Sequence, residues 1–140
     1  MALKASELTI GDKHEEVVVE NLSRTQLVMY AGASGDYNPL HTDGVFTKEI
    51  AGYPSVFAHG MLSMGLTGRM LTSYVGDGRL TNYGVRFTSQ VWPGDTLTAM
   101  SEVSDIREED GERFVDLTVT TVNQDGTAVV KGHATARIDP

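Results

Sequence analysis

From residue 80 onward the chain reads with a period of two. The segments "LTNYGVRFTSQV" (80–91), "TLTAMSEVSDI" (96–106), "ERFVDLTVTTV" (112–122) and "TAVVKGHATARI" (127–138) alternate in the way of strands that bury one face. In the last, Ala128, Val130, Gly132, Ala134, Ala136 and Ile138 share one face, and Val129, Lys131, His133, Thr135 and Arg137 the other. "WPGD", "EEDGE" and "NQDGT" stand between these runs with Pro-Gly and Asp-Gly turn signals, which predicts an antiparallel meander. Such a sheet needs a second layer over its apolar face. "FAHGMLSMGLTGRMLTSYVGDG" supplies it. Met61, Leu62, Gly65, Leu66, Met70, Leu71 and Tyr74 recur at helical steps, and Gly76 closes the segment. Its wide apolar arc, with Gly65 and Gly68, predicts a helix buried on most sides with something packed close against it. The expected fold is α+β, an antiparallel sheet wrapped around one long central helix.

The N-terminal part fits around that frame. "EEVVVE" (15–20) predicts a short strand. In "LSRTQLVMYAGASG" Ser23 is an N-cap with Gln26 three positions on, and Gly32 and Gly35 end the helix that follows. "TDGVFTKEIAG" (42–52) predicts one or two helical turns capped by Thr42 or Asp43. A length of 140 residues predicts a single domain, 1–140, with room for a genuine core.

Composition removes several classes of function. The net charge is −8, and the 11 Lys+Arg are scattered singly among 19 Asp+Glu, so no concentrated positive field exists for nucleic acid. The chain has no run of about 18 apolar residues, which excludes a membrane-spanning helix. It also lacks an apolar stretch of about 7–15 residues near its start, so no signal peptide is expected. With no cysteine there are no disulfides, thiolate nucleophiles or zinc-thiolate sites, and the expected location is the cytoplasm.

Two short stretches carry candidate chemistry. "ASGDYNPLH" (33–41) places Asp36, Asn38 and His41 on a loop stiffened by Pro39. It reads either as an Asx-type turn between two helices or as an acid/base pair, since a part-buried His beside a carboxylate suits proton transfer. In "AHGM" (58–61), His59 and Gly60 stand where the long helix begins. Free N–H groups there carry the positive end of the helix dipole, and Gly60 lets a ligand come close to its amide. A carbonyl oxygen gaining negative charge would be stabilised at that point. The plainer alternative for His59 is a satisfied histidine at a helix start.

"YAGASGDYNPLHTD" (30–43), "FAHGMLSMG" (57–65) and "VRFTSQVWPGDTL" (85–97) together resemble the motifs of the MaoC-like (R)-specific enoyl-thioester hydratases, a branch of the hot dog fold superfamily. "SYVGDGRLTNYGVRF" is similar to the B-type subunits of the mycobacterial (3R)-hydroxyacyl-ACP dehydratases. The resemblance implies a single hot dog domain that hydrates trans-2-enoyl thioesters of coenzyme A or acyl carrier protein. It implies catalytic Asp36 and His41, a thioester-carbonyl donor at the Gly60 N–H, and supporting roles for Asn38 and, as a weaker assignment, Ser63. No metal and no organic cofactor is implied. The expected partners are the acyl thioester and a second copy in a homodimer, with a heterodimer as the alternative. The acyl chain is expected beside Met61, Met64, Leu66 and Met70, with plain core packing the alternative for most of them, and Arg86, Arg69 and Lys131 are candidates for the carrier's phosphates, with solvated surface charges the alternative. Gln90 departs from the family pattern, which often has proline there; as a strand position it is expected to carry no catalytic role.

Three alternatives remain at this stage. A hot dog thioesterase shares the substrates without needing the Asp-x-Asn-Pro-Leu-His loop. An accessory subunit would stabilise a catalytic partner of related fold. "HTD" (41–43) with the distant His133 also has the residue types of a 2-His-1-carboxylate iron site.

Overall fold

Strand β1 (Lys13–Val19) opens the architecture and leads through Leu22 into helix α1 (Arg24–Ser34). The capping residues act as their sequence predicts: the Ser23 hydroxyl accepts from the Gln26 amide, and Gly35 ends the helix at φ 76°. The computed structural model describes residues 2–140. After α1 the chain makes a 3-10 turn (Pro39–His41) and a π turn (Phe46–Ile50), the latter entered through the Asp43 carboxylate, which accepts from the Val45 and Phe46 amides. The helical turns expected over 42–52 are thus present with Asp43 as their cap, in α form at Gly44 and Val45 and in π form from Phe46. Helix α2 (Gly60–Val75) then runs to Gly76.

The remaining strands are β2 (Leu80–Phe87), β3 (Leu97–Glu109), β4 (Glu112–Val122) and β5 (Ala128–Ile138). They form one antiparallel sheet in the order β1-β3-β4-β5-β2. The predicted meander therefore holds only for β3, β4 and β5. β2 crosses to the far side of β5, where Gly84 faces His133 and Val85 faces Gly132. The strand also stops at Phe87 rather than Val91. The reason lies in residues 88–96, which form a long crossover and no hairpin. Val91 is buried and accepts from the Ala58 amide, while the buried Asp95 carboxylates hold the Trp92 amide and the Gln124 side chain.

The sheet curves around α2. Leu62, Leu66, Met70, Leu71 and Val75 on the helix pack with Leu97, Val103, Val115, Leu117, Val119 and Ala134 on the strands in one core. Its polar links are few, and the buried Ser101 hydroxyl on β3 has no partner. Thr67 and Thr121 share a buried hydrogen bond of 2.6 Å, and the Arg69 guanidinium donates to the Val18 carbonyl at 2.6 Å. Gly68 explains the close packing expected of this helix, because a Cβ there would lie 3.2 Å from the Tyr83 ring. Tyr83 can thus cross the helix and donate its hydroxyl to the Met64 carbonyl. Burial pushes that hydroxyl up to about 12, against a smaller lowering by Thr67, so it stays a donor through the neutral range.

On the outward face the Arg107 guanidinium, aided by the Thr135 hydroxyl, holds the Asp116 carboxyl below its ordinary value. A depressed carboxyl stabilises the fold above its unfolded pKa of about 3.9, and that contribution is lost as the pH falls through the lower folded value. Asp116→Asn should therefore cost no more than about 1 kcal/mol at neutral pH, given the exposure of the pair, and the cost should vanish in acid. Urea midpoints of the two proteins at neutral pH and well below pH 4 measure this difference. Among the described residues no helix is long and apolar enough to cross a membrane.

Candidate active site

The loop 35–41 is folded by its own side chains. The Ser34 hydroxyl accepts from the Asp36 amide, Asp36 Oδ1 from the Asn38 amide, and Asn38 Oδ1 from the Leu40 amide. Each is a short side-chain-to-backbone bond of the Asx or Ser type, and Pro39 starts the 3-10 turn that they lead into. The turn reading of this loop is correct. It is also what turns His41 inward, where the side chain is 9% exposed while Asp36 stays at the surface.

His41 Nδ1 lies 2.7 Å from the Phe57 carbonyl. A carbonyl only accepts, so Nδ1 carries the hydrogen and the neutral ring keeps a bare Nε2. His59, 2% exposed, stacks on His41 with centroids 3.8 Å apart and planes 25° from parallel. Its Nε2 donates to the Asp36 carbonyl at 3.0 Å, and its buried Nδ1 has no partner. Asp36, His41 and His59 bring one ligating atom each to within 4.8 Å of one another. Two acceptors of a single water stand roughly 4.5 Å apart when each is hydrogen-bonded at about 2.8 Å, so groups gathered within this limit are close enough to share one. The group is less suited to a metal, because near-parallel stacked rings do not aim their in-plane lone pairs at one point. It is the one such group among the described residues. The iron alternative built on Asp43 and His133 is not assembled: Asp43 is spent on two amides, and His133 is exposed on β5.

Immediately after His59 begins α2. No side chain caps its first turn; the Leu62 amide turns back to the His59 carbonyl, which leaves the Gly60 and Met61 amides as the open donors. A cleft of about 480 Å³ opens at this end, lined by Ala58, Gly60, Ser63, Phe87, Gln90 and Val129 among others. A Cβ on Gly60 would stand 2.9 Å from the Phe87 ring, so any larger residue there must displace that half-exposed ring.

The family follows from the sequence as a whole. A model described as the MaoC like domain matches residues 5–125. This chain belongs to the MaoC-like family. Over 92 residues, 64% of this chain and 32% of the other, it is 35% identical to the 3-hydroxyacyl-thioester dehydratase Y of Mycobacterium tuberculosis. The chain thus spans about a third of that relative's length. It is 31% identical over 123 residues to an (R)-specific enoyl-CoA hydratase of Rhodospirillum rubrum, covering 86% of this chain and 83% of the other. The solved R-hydratase PhaJ1 of Pseudomonas aeruginosa superposes with a TM-score of 0.86 at 28% identity, covering 99% of this chain and 86% of that one. The sheet around α2 is accordingly the hot dog fold.

Against the residues expected from a MaoC-like sequence, the structure gathers Asp36 and His41 at one point and sets Gly60 at the adjoining helix start. Ser63 is 3% exposed and lines the cleft; Asn38 shapes the loop from outside it. Three expectations change. Leu66 and Met70 belong to the core and cannot line an acyl slot. Arg69 is tied to β1. Gln90 is exposed on the crossover and faces the cleft, because the strand ends before it. Phe87 carried no sequence signal beyond its place in an alternating run, and His59, singled out at the helix start, carried none that set it against His41.

Proposed function

We propose that the chain adds water reversibly across a trans-2-enoyl thioester, giving the (R)-3-hydroxyacyl thioester. The observation that carries this reading is that an Asp36 carboxylate oxygen and a His41 ring nitrogen lie within 4.8 Å of each other, beside a helix start with no side-chain cap. One water donates one of its hydrogens to the Asp36 carboxylate and the other to His41 Nε2, and its oxygen lone pair is thereby presented to C3. As the C3–O bond forms, one water proton passes to the pair and the C2–C3 π electrons move onto the thioester oxygen. The Gly60 N–H receives that charge, a donor of the kind worth about 3–4 kcal/mol. The proton held by the pair then passes to C2 of the enolate, so one water is added, the pair is restored and no other reactant is consumed. Asn38 supports the loop, and the Ser63 hydroxyl lies where the substrate enters. The acyl thioester, carried by coenzyme A or acyl carrier protein, occupies the cleft beside Phe87, and Arg86 and Lys131 on the neighbouring strands are the carrier-side cations. The acting species is a homodimer joined along β2, which has a strand neighbour on one side only.

The test is the purified chain with enoyl-CoAs of increasing length. Loss of the enoyl absorbance without release of thiol is the expected result. Thiol release with the enoyl group intact would make the protein a thioesterase, and neither signal without an added partner would make it an accessory subunit. Gly60→Ala provides a second check: its Cβ forces the Phe87 ring into the approach, and kcat/KM should fall on the order of 10²-fold in a protein that still folds. Light scattering should give about twice 15.1 kDa.

A further inference from the structure

We infer that His59 is a positioning residue for this reaction, one side chain that ties the acid/base loop to the start of α2. The inference rests on the hydration reading above. Three contacts define the role. His59 Nε2–H holds the Asp36 carbonyl at 3.0 Å, its ring lies face to face with His41 at 3.8 Å, and its backbone immediately precedes Gly60. The Asp36–His41 pair and the carbonyl donor at Gly60 come from separate stretches of chain, and His59 is the residue that touches both members of the pair.

Burial gives the reason to see more than packing here. His59 is 2% exposed and wedged between His41 and the edge-on Tyr30 ring at 4.8 Å, yet its Nδ1 has no hydrogen-bond partner. A buried nitrogen without a partner leaves its lost hydration uncompensated. A phenylalanine would present a similar face to His41 and Tyr30 without that cost, so stability alone favours it. What phenylalanine lacks is the Nε2–H on the Asp36 carbonyl. That bond fixes where the Asp36 carboxylate stands relative to His41, and misplacement by about 1 Å can cost 10²-fold in rate.

The test separates position from stability. His59→Phe should melt at or above the wild-type temperature while kcat falls about 10²-fold and KM stays within about threefold. His59→Gln, which returns an N–H donor near the place of Nε2, should recover at least tenfold of that loss. Introduced into His41→Ala, His59→Phe should cost little further, because the two changes act through one element. Wild-type kcat in His59→Phe would overturn the inference, as would a Gln variant no faster than Phe or a full additional loss in the His41→Ala background. His59→Leu replaces Phe should the larger ring disturb the fold. Side-chain nitrogen NMR provides the arm independent of activity. His59 should appear as the Nε2–H tautomer, and His59→Phe should move the His41 ring signals. An Nδ1–H tautomer, or unmoved His41 signals, would overturn the inference whatever the reaction proves to be; a wild-type protein without hydration activity but with these signals would overturn the reaction alone.

Discussion

Asp36→Asn and His41→Ala should each lower kcat for enoyl-thioester hydration by about 10²–10⁴-fold, the range for a positioned proton-transfer group. The two losses should not add, because both residues hold the same water. KM should change little, since the cleft wall formed by Ala58, Phe87 and Val129 is untouched. Folding should survive as well. Asp36 is exposed, and of the loop's three internal bonds its carboxylate supplies one, which the asparagine amide oxygen replaces. The measurement is steady-state kinetics beside thermal melting. Full activity in either variant with an intact melting curve would refute the assigned roles.

The largest effect on stability is expected at Gly132. A Cβ there would lie 2.0 Å from the Gly84 carbonyl oxygen and 2.8 Å from the Val85 Cα, both backbone atoms of the paired strand β2. No rotamer change relieves that contact; β2 must move away from β5, breaking the register that sets Val85 opposite Gly132. Gly132→Ala should cost about 3 kcal/mol or more, and lower the melting temperature by roughly 10 °C. Gly65→Ala is the control. It lies on the exposed side of α2 with nothing within 4 Å of an added Cβ, so it should stabilise by about 0.5–1 kcal/mol. Equal melting temperatures for the Gly132 variant and wild type would show that the sheet edge is looser than its geometry indicates. Because β2 also carries Phe87 to the cleft, the same variant should lose activity at temperatures where it remains folded.

Much of the site was legible because its residues are local. Asp36, Asn38 and His41 fall within six positions, and the bonds that fold their loop span two residues each, so a reader of the chain sees both the turn and its chemistry. Gly60 was legible for a similar reason, since a helix start beside glycine is a local pattern with a fixed electrostatic consequence. His59 was not. Its orphan nitrogen, its stack on His41 and its bond across 23 positions to the Asp36 carbonyl arise only when two separate segments meet. The same holds for Gln90 and Phe87: an alternating run says that a strand is present, but not where the crossover must leave it.

The fold divides along the same line. Alternation, Asp-Gly turns and a small-residue helix determined by themselves that this chain makes a sheet around one helix, because side-chain period and turn geometry are set within a few residues. Strand order was decided only in three dimensions. β2 pairs with β5 because residues 88–96 are anchored across the molecule, at Val91 to Ala58 and at Asp95 to Gln124, so the "WPGD" turn cannot return the chain beside β2. That choice brings Phe87 against Gly60 and opens the cleft at the helix start. The sequence determined which groups are available for the chemistry; long-range pairing decided what they face, since neighbours distant along the chain meet only after the sheet has closed around α2.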